Sequence, residues 1–162
     1  MIELIKVNKE DRTLLYNIFQ KMLYEMTQFY DNDMDEYGNI QYGYFDEYFI
    51  DKKRIAYFIN KDNELVGFIM VHPYSYFNDE IDYNLAEFTI FPKYRRKGYG
   101  AEAVKLLFKK HPGIWEIKYN TKNIKAVNFW TKVTSKYNSS IIEYDTFEKV
   151  LKFNIGDKNE TK

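Results

Sequence analysis

The stretch that most constrains what this chain can fold into runs from Leu85 to Phe108, LAEFTIFPKYRRKGYGAEAVKLLF. Leu85, Ala86, Phe88, Ile90 and Phe91 form a short, mostly apolar run of β-favouring types and predict a strand. Pro92 has no N–H to give to a sheet ladder and ends it. Arg95, Arg96 and Lys97 then lead into Gly98-Tyr99-Gly100, after which Ala101, Val104, Leu107 and Phe108 recur at helical spacing. Strand, basic glycine turn, helix is an order that suits an anion. A turn of small residues lets backbone N–H groups point inward, and the first helical turn adds unpaired donors and a partial positive charge. Gly98 and Gly100 would let a phosphate approach with no Cβ in the way. The bland reading, a helix entry with a solvated basic rim, uses the same residues.

Two other phosphate motifs fit worse. A P-loop needs Gly-Lys-Ser/Thr, and here Gly100 is followed by Ala101-Glu102. A dinucleotide fingerprint needs a third glycine at the helix start, where this chain has Val104 and its neighbours.

At 162 residues the chain has the length of one domain, expected over residues 1–155 with a polar tail over 156–162. Its 24 basic and 24 acidic residues cancel, so no global field attracts nucleic acid or an anionic membrane. The absence of cysteine excludes disulfides, thiolate catalysis and Cys-based zinc sites. No metal site is expected. His72 and His111 are far apart and sit beside prolines, as structural or surface residues do, and the acidic run at Asp31 lacks the glycine and glutamate that a calcium loop requires. Met1-Ile2-Glu3 reads as neither a signal nor a transit peptide, and no apolar run approaches ~18 residues. A cytoplasmic protein, monomeric or homodimeric, is the expectation.

Taken in order, Ile2, Leu4, Ile5 and Val7 suggest a first strand. Asn8 or Asp11 then caps a helix to about Tyr30, with Leu14, Leu15, Ile18, Phe19, Met22, Leu23, Met26 and Phe29 as its buried stripe. From Tyr30 to Tyr48 the chain is rich in acids and aromatics: Asp31, Asp33, Asp35 and Glu36, then Tyr42, Tyr44, Phe45 and Tyr48. This is either a solvated loop followed by a short helix from about Tyr44 to Lys52, or a wall that attracts a cationic amine. Arg54 to Asn60 and Glu64 to His72 form a hairpin about Lys61-Asp62-Asn63. Past the organising helix, Ile114 to Tyr119 read as a strand, Asn123 caps a helix through Val133, and residues 141–144 and 149–153 close with a second hairpin. The sum is an α/β fold, a mixed and mostly antiparallel sheet of six to seven strands with helices on both faces.

Arg95-Arg96-Lys97-Gly98-Tyr99-Gly100-Ala101 resembles the pyrophosphate loop of the GNAT superfamily of acyl-CoA-dependent N-acyltransferases, Arg/Gln-x-x-Gly-x-Gly/Ala. Ile90-Phe91-Pro92-Lys93-Tyr94-Arg95 is similar to that family's strand exit. Asn123 through Trp130 resembles its second signature, Asn-x-x-Ala-x-x-Phe/Leu-Tyr, except that Trp130 replaces the tyrosine. The likeness covers nearly the whole chain. It implies acetyl-CoA as cosubstrate and a primary amine, cationic in one reading, as acceptor. It further implies that backbone groups of Phe88, Thr89 and Ile90 hold the pantetheine arm, and that Arg95 and the N–H groups of Arg96, Lys97, Gly98, Tyr99, Gly100 and Ala101 hold the pyrophosphate. Asn123, Asn128 and Trp130 would face the cofactor from the other side.

A protonated aliphatic amine, with a pKa near ~10.4, must first lose a proton, at a cost of about 4–5 kcal/mol at neutral pH. Glu87 is the candidate base, the one carboxylate on an otherwise apolar strand, where desolvation would raise its pKa. Pairing with a surface lysine is its plain structural alternative. An indole cannot transfer a proton at neutral pH, so the departing thiolate would take one from Tyr83, Tyr99 or Tyr137, from water, or leave without one. A module that binds acyl-CoA without turning it over is the alternative function.

Overall fold

The computed structural model describes residues 1–156. Its strands are β1 (Ile2–Lys6), β2 (Ile55–Lys61), β3 (Glu64–His72), β4 (Tyr83–Ile90), β5 (Gly113–Asn120), β6 (Ser140–Glu143) and β7 (Glu148–Ile155), and its helices are α1 (Arg12–Met26), α2 (Tyr99–Lys110) and α3 (Ile124–Thr134). The strands form one sheet in the order β1-β2-β3-β4-β5-β7-β6. Only β4 and β5 pair in parallel; the other neighbours are antiparallel. This is the mixed, mostly antiparallel sheet that the sequence predicts. Of the expected polar tail, all but Gly156 lies outside the described residues.

Alternation along each strand sends side chains to two separate cores. On one face Ile69, Val71, Leu85 and Ile90 pack with Val104, Leu107 and Phe108 of α2 and Trp130 of α3. On the other, Phe68 and Met70 pack with Leu15, Phe19 and Leu23 of α1 and with Ile40, Phe45 and Tyr48.

Two sequence expectations shorten. The first helix ends at Met26 rather than Tyr30, because the Thr27 hydroxyl donates to the Tyr24 carbonyl at 2.6 Å and the chain leaves in turns. Of its eight expected core residues only Leu15, Phe19 and Leu23 are fully buried, and Leu14 is exposed. The helix expected from Tyr44 to Lys52 is a single 3₁₀ turn, Asp46–Phe49. In that geometry residues three apart share a face, so one turn suffices to bury both Phe45 and Tyr48 while Ile50 stays in water.

Two features aim β4. Met70 pairs with Glu87 but Val71 with Leu85, so Ala86 is an extra residue, a bulge that bends the strand. On its other edge β4 pairs with β5 only at Tyr83–Trp115 and Asn84–Glu116. Beyond that point the two strands part. The loop between β3 and β4 is fastened over this region by Glu116, fully buried, which accepts from the Ser75 hydroxyl at 2.7 Å and the Tyr76 N–H at 2.9 Å.

Candidate active site

The gap between β4 and β5 has a backbone side. The Phe91 N–H donates to the Val66 carbonyl at 2.8 Å. With regular pairing from Glu87 to Ile90, the two-residue alternation also turns the peptide groups of Thr89 and Glu87 to β3. Those of Phe88 and Ile90 face the open side. Of the three residues expected to offer free backbone groups, Thr89 is therefore committed to the sheet.

The Ile90 carbonyl is taken by Arg95, whose Nε donates to it at 2.7 Å while Nη1 and Nη2 reach the Glu25 carboxylate at 3.0 and 2.7 Å. This fork ties the β4 exit to the end of α1. The Arg95 side chain thus builds the turn instead of lining it, a correction to its expected place on the phosphate. The turn itself is strongly bent: Arg96 has φ 64° and Gly98 φ 81°, values in the left-handed region that glycine adopts freely and arginine seldom does. Arg96, Lys97 and Gly98 are exposed. The Glu102 N–H donates to the Gly98 carbonyl at 3.1 Å, so the N–H groups from Gly98 to Ala101 precede the helical ladder.

Gly100 has a packing role that the sequence did not suggest. A Cβ there would stand 3.2 Å from Phe88 Cζ and 3.4 Å from Phe129 Cε2, so its missing side chain lets α2 seat on β4 and α3. Tyr99 turns its ring toward Lys61 at 6.0 Å, on the β2–β3 hairpin. Asn123 caps α3, its side chain accepting from the Ala126 N–H at 3.2 Å. Asn128 is exposed. Trp130 is buried, edge-on to Phe88 and Phe129; it supports the wall of the gap from inside the core. Between α2 and α3 lies a groove of about 260 Å³ lined by Lys105, Phe108, Lys132, Lys136 and Tyr137 among others. Those three lysines, brought together from α2, α3 and the 3₁₀ turn that follows α3, were not singled out from the sequence; the one signal for them was the four-residue step from Lys132 to Lys136.

The titratable side of the gap is on the opposite face. Glu87 points into the α1 side, and burial pushes its carboxyl up to about 8, with the Tyr42 hydroxyl and the Lys118 ammonium pulling the other way. Four phenols close enough to feel its charge surround it: Tyr30, Tyr42, Tyr48 and Tyr76 are each held well above their usual range, foremost by burial. Tyr30 donates to Glu148 at 3.0 Å, and Lys118 lies 3.4 Å from the same carboxylate oxygen. Glu87 is therefore not paired to a surface lysine.

The acidic loop contributes less than its composition suggests. Asp35 accepts from its own loop, from the N–H groups of Tyr37 and Asn39 at 2.9 Å each and from Gln41 at 2.9 Å. Asp31, Asp33 and Glu36 are exposed. The candidate proton donors are elsewhere too. Tyr83 stacks beside Trp115 and His111 where β4 and β5 still pair, and Tyr137 lies between Phe108 and Phe153. Burial pushes His72 down to about 4, leaving it neutral, and His111 is hydrogen-bonded to the Tyr57 hydroxyl at 2.8 Å. Among the described residues no cluster of metal-ligating side chains occurs, and no helix is long and apolar enough to cross a membrane.

Residues 15–134 match the model of the Acetyltransferase (GNAT) family. No curated protein matches the sequence. Among solved structures, the chain resembles an acetyltransferase from Thermus thermophilus (TM-score 0.70, 14% identity, covering 96% of this chain and 97% of that one). It also resembles the PaiA N-acetyltransferase of Thermoplasma acidophilum in complex with coenzyme A (0.62, 17%, 95% and 99%) and Arabidopsis thaliana NAA60 in complex with acetyl-CoA (0.60, 11%, 96% and 99%).

Proposed function

The chain belongs to the GNAT acetyltransferase family, and from that premise we propose that it moves an acetyl group from acetyl-CoA to a primary amine by direct attack in a ternary complex. One observation carries the reading: a carboxylate with an elevated pKa, Glu87, stands at the strand bend where β4 leaves β5. A group titrating near 8 is matched to removing a proton from an ammonium and holding it while the C–N bond forms and the C–S bond breaks. The absence of cysteine agrees with transfer that passes through no thioester on the enzyme.

The residues present fit the cofactor. The N–H groups from Arg96 to Ala101 lie at the start of α2, those from Gly98 on ahead of its hydrogen-bond ladder, where the helix adds partial positive charge for a pyrophosphate. Lys105, Lys132 and Lys136 supply cations in the adjoining groove. The open peptide group of Phe88 and the Ile90 N–H fit an amide-bearing arm and a thioester carbonyl, while Arg95 occupies the Ile90 carbonyl. Asn123 serves by capping α3 beside the gap. With Tyr83 and Tyr99 turned elsewhere and Tyr137 set among the lysines of the α2–α3 groove, the thiolate takes its proton from water or leaves unprotonated. That solved structures of this fold hold coenzyme A or acetyl-CoA supports the same seat.

Calorimetry with acetyl-CoA, followed by thiol release across an amine panel, tests the reading. Saturable binding with release on at least one amine is expected; binding without release on any would favour a module that holds acyl-CoA without turnover.

A further inference from the structure

The acceptor side of the gap is assembled from segments distant in sequence: Tyr30 after α1, Tyr42 and Tyr48 from the loop before β2, Tyr76 from the β3–β4 loop, Glu87 on β4, Lys118 on β5 and Glu148 on β7. Building on the acetyl transfer proposed above, we infer that this pocket selects a compact primary amine carrying one positive charge, in preference to a polyamine or a peptide, and that Glu148 is the residue that sets this preference.

Charge supports the inference first. The cluster holds two carboxylates withdrawn from water, Glu87 and Glu148, and one ammonium, Lys118; a third carboxylate, Asp145, acts on Glu148 but is itself exposed and accepts from the Phe147 and Glu148 N–H groups. Lys118 is fixed in place: its Nζ is 3.4 Å from Glu148 and lies 4.6 Å and 4.8 Å from the ring centroids of Tyr76 and Tyr144. With both carboxylates ionised a single negative charge is left over. Arg54, which faces Tyr48, does not alter the balance, because its Nε lies 3.5 Å from the Asp51 carboxylate, which also accepts from Tyr74 at 2.6 Å. One ammonium completes the set. The further charges of a polyamine would need more carboxylates, and the acidic loop provides none inside: Asp35 is engaged with its own loop and the other acids face water.

The walls agree. Tyr30, Tyr42 and Tyr76 are half-buried and Tyr48 is buried, so the surroundings of Glu87 are made of rings. Such rings attract a cation and pack against a flat or apolar body. Tyr30 and Tyr76 lie in the field of both carboxylates, and the Tyr30 hydroxyl is aimed at Glu148 by its 3.0 Å bond.

The test is steady-state thiol release at saturating acetyl-CoA with benzylamine, tyramine, spermidine and a short peptide with a free N-terminus. The monoamines should exceed the other two in kcat/KM by about tenfold, the ratio that ~1.4 kcal/mol of selectivity gives; equal or better turnover of spermidine or peptide overturns the inference while leaving acetyl transfer standing. No release on any of the four overturns both. Glu148→Gln keeps the shape and can still accept from Tyr30. It should raise the KM for monoamines about tenfold with acetyl-CoA affinity unchanged, and an unaltered amine KM would remove Glu148 from selection. Lys118→Met leaves two uncompensated negative charges and should shift the preference toward spermidine; an unmoved ratio would contradict the charge balance.

Discussion

The two faces of this sheet treat polar groups in opposite ways. Toward α2 and α3 the gap is built of backbone: a bent turn, the first N–H groups of a helix, the open peptide edge of Phe88 and Ile90, and rings packed behind them. Toward α1 it is built of side chains, with two carboxylates, one ammonium and four phenols withdrawn from water. Backbone donors keep their charge state at every working pH, so the first face can hold an anion unchanged. The second face is made of groups that titrate, and it is there that a proton can be moved.

The comparison breaks most visibly at Glu87. Glu87→Gln should lower kcat about 10²–10⁴-fold, the usual worth of a general base, while acetyl-CoA affinity measured by calorimetry stays put. A variant that also lost the cofactor would mean that the two faces are not separate. Next comes the opposite face. Gly100→Val places a branched side chain where Phe88 and Phe129 already stand 3.2–3.4 Å from the missing Cβ. Overpacking of about 1–3 kcal/mol should lower Tm and tilt α2, so that acetyl-CoA affinity falls. Retained affinity would separate the turn from the cofactor.

Arg95→Ala should come third. It removes the fork to Glu25 and the partner of the Ile90 carbonyl; a loss of roughly 1–3 kcal/mol in denaturant unfolding is expected, together with weaker acetyl-CoA binding. An unchanged midpoint would show that the turn holds its shape without the fork.

Stability against pH sharpens the comparison further. Glu87 titrates near 8 when folded and at about 4.5 as an ordinary carboxyl, so between those values the folded chain keeps a proton that the unfolded chain has released. Stability from this group is thus present at low pH and is lost as pH rises through about 8. Glu87→Gln should raise Tm relative to the parent at pH 8–9 and barely at pH 4; an equal difference at both would deny the buried carboxyl. The smallest effect is Tyr48→Phe. The Tyr48 hydroxyl is buried with no hydrogen-bond partner, so its removal should leave Tm unchanged or raise it slightly. A clear drop in Tm would reveal a partner.

The same division governs what could be read from the chain. The α2–α3 side of the gap follows from one contiguous stretch, because a strand end, a glycine turn and a helix start write their physics into neighbouring residues. Even there the sequence missed roles: Gly100 also serves packing, Arg95 braces the turn, and Thr89 bonds to β3. On the α1 face Glu87 stood out as the lone acid on an apolar strand. Tyr30, Tyr76, Lys118 and Glu148 could not, since only the closed sheet brings them together and none sits in a local pattern. Of the two readings of the acidic run from Asp31 to Glu36, the structure favours the solvated loop. Its composition was visible, but Asp35 spends its oxygens on nearby N–H groups, a local choice that composition does not show. The missing helix after Tyr44 has a similar cause, because two buried rings three residues apart are satisfied by a single 3₁₀ turn.

The most direct test of the division is the pH dependence of kcat/KM for acetyl transfer to a monoamine in the parent and in Glu87→Gln. The parent should show an ionisation limb near 8, rising with pH as the carboxyl loses its proton, and the variant should lack it. Profiles of the same shape in both would contradict the assignment of proton transfer to the α1 face.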